Sequence, residues 1–216
     1  MQDRTTAPTD LDPVFAGFAS VCAFVVGAGG LAYSIAFVAV LRGWGDPAMA
    51  ASSLFLLLGG LLATPVLVAV YLLLRPTSPG LALWALTIGL AGALGSAIHG
   101  GFDLANVINE PLGRLGGYPN AVDPRGLMTF GLAAVGTAAV GWLILRGGRL
   151  PRGLGLVAAA LSVLLLVIYL GRLVLLDPTH PVLLVAALAT GFVVNPAWWI
   201  WLGVSIRRAR SDAVEA

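Results

Sequence analysis

Six long apolar stretches dominate this chain, at roughly residues 14–41, 50–74, 80–102, 125–146, 153–176 and 182–206. Each is long enough to cross a bilayer, whose hydrocarbon core takes about 20 apolar residues of helix. Inside lipid no water satisfies the backbone N–H and C=O groups, so only helices or closed barrels can span it. The apolar–polar alternation that a membrane β-strand needs is absent. The expected fold is all-α, a polytopic transmembrane helix bundle of about six spans.

Composition agrees with lipid as the solvent. Of 216 residues, 59% are hydrophobic and 10% charged, and the mean hydropathy is +0.96. A soluble domain carries about 25% charged residues. The net charge is only +2, and no basic stripe with interleaved aromatics appears, so no nucleic-acid partner is expected. All 12 basic residues are arginine. With the abundance of Ala, Gly, Leu and Val, that points to high-GC bacterial coding. The single cysteine, Cys22, makes neither an internal disulfide nor a Cys-rich metal site. It reads as a small packing residue. Residues 1–12 carry Asp3, Asp10 and Asp12 against Arg4. A secretory signal would be net positive there, so the first stretch is expected to stay as a helix.

The chain divides into a polar cytoplasmic tail (1–11), a single transmembrane domain (12–206) and a basic-then-acidic cytoplasmic tail (207–216). Both tails read as poorly ordered. The longest connection, 109–124, would lie outside. Asp12-Pro13, Asp46-Pro47 and Asp123-Pro124 each place a capping carboxylate before a proline, and Ser78-Pro79 does the same with a hydroxyl. Asp177-Pro178 is a further candidate start for the sixth span. Arginine counts set the orientation. Arg4, Arg75, Arg146, Arg149, Arg152, Arg207, Arg208 and Arg210 share one side, and Arg42, Arg114, Arg125 and Arg172 the other. The positive-inside rule then puts both termini in the cytoplasm of a bacterial inner membrane. Trp84, Trp142, Trp198, Trp199 and Trp201 would form an aromatic belt on that side.

Glycine-rich faces would let the helices approach closely, within the chain, with a second copy or with another membrane protein. They include Gly27, Gly29 and Gly30, Gly59 with Ala63, and Ala133, Thr137 and Gly141. A three-plus-three internal symmetry has no matching residues behind it.

Four ionisable groups are left once tails, caps and flanking arginines are set aside: His99, Asp103, Glu110 and Arg172. At about 100° per residue, His99, Asp103, Asn106 and Glu110 share one stripe of the third helix, continued inward by Gly92, Gly95 and Ser96. Arg172, with Tyr169 one turn earlier, is expected at the same depth on the fifth helix. His180 would stand in the loop beyond, and Asn195-Pro196 falls mid-helix in the sixth. Proline there frees a carbonyl near residue 192 and kinks the helix. An ionisable residue at membrane depth costs roughly 2.5–3.5 kcal/mol and defaults to a functional hypothesis.

Each residue also has a plainer reading. Asp103 and Glu110 would sit in water if the third helix overshoots the membrane. Arg172 would snorkel to headgroups, His99 would be a hydrogen-bonded packing residue, and Asn195-Pro196 would be a kink.

Three functions compete. The first is an outward-opening site for a small solute or protons, built from His99, Asp103, Asn106, Glu110, Tyr169, Arg172 and Asn195. The second is a metal-dependent intramembrane hydrolase, with zinc held by His99, Asp103, Glu110 and His180. Those are suitable ligand types, but no His-Glu-x-x-His accompanies them. A serine route through Ser96 and His99 lacks a Gly-x-Ser-x-Gly elbow. The third is a structural or accessory subunit without chemistry. A haem role has only one histidine near a span to rest on. The balance is against an enzyme, no catalytic residue is assigned, and no cofactor is expected apart from zinc under the second reading.

Over its whole length the chain resembles small six-helix bacterial integral membrane proteins of the domain-of-unknown-function type. The segments carrying the resemblance are His99-Gly-Gly-Phe-Asp103-Leu-Ala-Asn106, Tyr169-Leu-Gly-Arg172-Leu and Asn195-Pro-Ala-Trp-Trp-Ile-Trp-Leu-Gly203. The resemblance implies the six-helix fold and no particular activity.

Overall fold

The computed structural model describes residues 11–109, 127–174 and 180–215. Among them there is no strand. Six helical segments are long and apolar enough to cross a membrane. The α-helices that build these six spans are α1 (Pro13–Leu41), α2 (Asp46–Leu74), α3 (Pro79–Ile108), α4 (Ala133–Gly147), α5 (Arg152–Val174), α6 (Pro181–Ala189) and α7 (Asn195–Glu215). A π-helical turn, Leu127–Leu132, leads into α4, and a second, Thr190–Val194, joins α6 to α7 as one interrupted span. α7 runs on as helix to Glu215, into the stretch 207–216.

Burial on α1 inverts the soluble pattern. On α1 the buried residues are small, Ala16, Ala19, Ser20, Ala23 and Gly27 among them. Val14, Phe18, Val21, Val25 and Ile35 of the same helix are exposed. Lipid tails are as apolar as leucine, so burying large side chains gains little there. Close backbone packing through small residues is what associates helices. Gly60 of α2 shows how close: a Cβ there would collide with the backbone of Ala93 and Ala97 on α3. Gly59, one residue earlier, has nothing within 4 Å. Most of the glycine faces are thus consumed inside the chain.

Consecutive helices pack as antiparallel neighbours, and α1 closes the ring against α7. Local chemistry sets the ends. Asp12 caps α1 by accepting the Phe15 N–H at 2.9 Å. Gly148, at φ 68°, ends α4 in a left-handed conformation that glycine adopts without strain. Other caps differ from the sequence reading. Asp46 is the first residue inside α2, behind Gly45, and Ser78 makes no side-chain cap bond. His180 caps α6, its Nδ1 accepting the Val182 N–H at 3.3 Å. Asp123 and Asp177 lie outside the described residues.

The two halves of the ring differ. The apolar core occupies the end that carries the termini. Ala19, Ala23, Val66, Val70, Leu73, Leu143, Ile144, Leu154, Leu161, Trp198, Leu202 and Ile206 fill it. Arg75, Arg146, Arg149, Arg152, Arg207 and Arg208 gather at the same end, as the alternating direction of the helices requires. Trp84, Trp142 and Trp201 are exposed there, and the Arg146 guanidinium lies 4.9 Å from the Trp142 ring centroid. Trp198 departs from the expected belt. It is 4% exposed and belongs to the core.

Candidate functional site

The opposite half holds the polar groups, and α3 supplies the first of them. Gly92 and Gly95 lie against Met128 and Ala133, so the small part of the stripe faces the π-turn before α4. One turn on, His99 Nδ1 stands 3.4 Å from Thr129 Oγ1 of that turn. His99 Nε2 meets Asp103 Oδ2 at 3.1 Å across the i, i+4 step. The His99 side chain is 13% exposed and that of Asp103 37%. The carboxylate therefore holds the imidazole from one side and the threonine from the other, and reaches toward the open end itself. The π-turn matters here. One extra residue per turn shifts the register of the following helix, and Thr129 is buried facing His99 rather than lipid.

Arg172 comes from α5. Its guanidinium carbon lies 5.6 Å from the Phe130 ring centroid, over an aromatic face of the same π-turn. A cation on a ring face is held electrostatically while its N–H donors stay available at the edges. Among the described residues no ion pair joins Arg172 to Asp103.

Tyr33 of α1 is the residue that sequence reasoning missed. This half-buried residue lies in the electrostatic field of both Arg172 and Asp103. The ring stacks on Phe37 with centroids 6.0 Å apart and planes at 22°. Tyr33-Ser34 is the one polar pair in the last third of an otherwise apolar stretch; that pair was the available signal. α1, α3 and α5 thus each carry one polar group into this half of the bundle, Tyr33, Asp103 and Arg172, and His99 joins Asp103 to Thr129.

The other expected residues fall as follows. Asn106 is half-buried on α3, and Tyr169 half-buried on α5; nothing among the described residues joins either to the cluster. Asn195 lies deeper, where its Oδ1 accepts the Trp199 indole N–H at 2.9 Å. Its Nδ2 faces Gly30, where a Cβ would stand 2.8 Å away. Asn195 therefore bonds within α7 and packs its amide on Gly30 of α1. Glu110 lies outside the described residues. His180, at the start of α6, is engaged as a cap. Among the described residues no three His, Cys, Asp or Glu side chains gather as metal ligands would.

The arrangement places one positive and one negative group in the half of the bundle that holds Tyr33, the other half being packed with aliphatic side chains. It can recognise a small polar molecule by charge at two points and by hydrogen bonding between them. Compared with protein-family models, with curated proteins and with solved structures, the chain matches none.

Proposed function

We propose that this chain is a multi-pass protein of the bacterial inner membrane that binds a small zwitterionic solute at a site opening outward. The observation carrying the reading is that two opposite charges, Asp103 of α3 and Arg172 of α5, both act on Tyr33 of α1. A carboxylate and a guanidinium in one half of the bundle suit a ligand that carries both charges. The anionic end would take the guanidinium fork of Arg172. The cationic end would take Asp103, with His99 and Thr129 holding that carboxylate in place and Tyr33 bridging. The arginine-rich end with both termini faces the cytoplasm by the positive-inside rule, which turns the cluster outward. The apolar core beneath favours one-sided access over an open channel.

The test is a thermal-shift comparison on detergent-purified protein. Free amino acids are measured against monocarboxylates and monoamines of matched length. Zwitterions should raise Tm where the singly charged compounds do not, and Arg172→Gln and Asp103→Asn should each abolish the shift. An equal response to all three classes, or to none, overturns the reading.

A second reading rests on the 3.1 Å His99–Asp103 contact: a zinc site for an intramembrane hydrolase, completed by residues outside those described. Metal content by mass spectrometry, with Asp103→Ala as control, decides it. Near-stoichiometric zinc that falls in the variant would support it.

A further inference from the structure

The arginine-rich end of the bundle carries a charged surface that the solute site does not use. Arg146, Arg149 and Arg152 stand within seven residues, on the hairpin that joins α4 to α5. No Asp or Glu occurs in residues 126–176. Among the described residues none of the three arginines pairs with a carboxylate. Asp12, at the same end, is occupied in capping α1.

The hairpin is held firmly. Leu150 is 4% exposed and belongs to the apolar core. Gly148 turns the chain at φ 68°. Gly147 lies directly against Thr77 of the turn between α2 and α3, and Gly153 against the Trp201 ring of α7. A loop fixed in this way avoids much of the ordering cost that a flexible basic tail meets on binding. Its depth is marked by aromatic rings. The Arg146 guanidinium lies 4.9 Å from the centroid of the exposed Trp142 ring, one turn back along α4. Trp201, also exposed, stands beside the start of α5. Indoles settle where acyl chains meet headgroups, so the arginines sit at phosphate level. α5, a helix of 23 residues, begins at Arg152 directly after Pro151. Proline has no side-chain acceptor, so the first N–H groups of α5 receive no cap from the preceding residue and add the positive pole of the helix to the same place.

Guanidinium groups without carboxylates, at headgroup depth and beside indole rings, match a phosphate diester. The planar fork of arginine takes two phosphate oxygens at once. We propose that the α4–α5 hairpin binds the headgroup of an anionic phospholipid in the leaflet at the arginine-rich end. Arg146, Arg149 and Arg152 hold the phosphate oxygens, and Trp142 and Trp201 lie against the glycerol and the upper acyl chains. A zwitterionic lipid brings its own ammonium group, which the three arginines repel, so a lipid of net negative charge is selected. The bound lipid ties α4, α5 and α7 together at the end opposite Tyr33, Asp103 and Arg172. The site is the same whichever leaflet is cytoplasmic.

The experiment needs no solute, so its outcome is independent of the solute reading. The full chain is purified in a neutral detergent, and phosphatidylglycerol or phosphatidylcholine is added back. Native mass spectrometry counts the lipids that stay bound, and Tm reads their effect on stability. Phosphatidylglycerol should be retained and should raise Tm where phosphatidylcholine does neither. Each guanidinium near an anionic headgroup is worth about fivefold in affinity, so Arg146→Gln with Arg149→Gln should weaken phosphatidylglycerol binding about 25-fold. Arg207→Gln with Arg208→Gln removes the same charge from exposed positions of α7 and should leave binding nearly unchanged. Equal losses in the two double variants mean diffuse attraction and overturn the hairpin site. Equal retention of the two lipids by the wild type overturns the proposal whether or not any variant folds. Soluble glycerol phosphate that raises Tm as much as phosphatidylglycerol at the same concentration overturns the assignment to a lipid.

Discussion

Replacing Gly60 and Gly59 by alanine, one at a time, separates close helix packing from every other property of this chain. The two glycines are adjacent in α2, the same substitution is made at each, and neither carries charge. At Gly59 the new methyl group enters open space. The only local change is the helix preference of alanine over glycine, up to about 1 kcal/mol in favour of the variant. At Gly60 the methyl group would run into the backbone of Ala93 and Ala97, with the Ala97 Cβ 3.0 Å away. Backbone atoms of a packed helix cannot swing aside as a flexible side chain can, so α2 and α3 must separate. Overpacking of that kind costs about 1–3 kcal/mol. Gly59→Ala should therefore match or exceed the wild type, and Gly60→Ala should fall about 1–3 kcal/mol below Gly59→Ala. Tryptophan-monitored unfolding in mixed micelles, titrated with a denaturing detergent, reads the difference. Equal stability of the two variants would refute the α2–α3 contact and the glycine-based packing derived from it.

Three further outcomes follow from single contacts. Asn195→Leu strands the Trp199 indole N–H and should destabilise by about 1–3 kcal/mol, measured in the same unfolding assay. Ser162→Ala removes one interhelical bond to a carbonyl that its own helix also serves, and should cost only about 0.6 kcal/mol. In a Cys22→Ala background, cysteine at Tyr118 should react with a membrane-impermeant thiol reagent applied to intact cells, and cysteine at Arg149 should not; the reverse pattern overturns the orientation.

How much of this was legible in the sequence depends on the kind of signal. The span positions were, because twenty apolar residues in a row leave few alternatives. The first predicted stretch, 14–41, differs from α1 by one residue at its start. The His99–Asp103 stripe was legible too, since i, i+4 spacing fixes a shared helix face. The two π-turns were not. A one-residue register insertion leaves no trace in composition, and at Asn195-Pro196 the proline suggested a kink rather than an extra residue in the preceding turn. Tyr33 was missed because tyrosine in a membrane span reads as an ordinary amphipathic aromatic; only the tertiary structure puts it in the field of Arg172 and Asp103. His180 drew attention as a titratable group, and the fold employs it as a helix cap.

The proposed solute site requires that Tyr33 and Asp103 face one polar region, open at the end of the bundle away from the termini and sealed beneath by aliphatic packing. Cysteine accessibility in intact cells tests it most directly. In the Cys22→Ala background, cysteine at Tyr33 and at Asp103 should each react with an impermeant thiosulfonate from outside, while cysteine at Leu143, which is fully buried in the core, stays unreactive. Labelling of positions 33 and 103 only from the cytoplasmic side, or of neither while Tyr118→Cys reacts, would contradict the account.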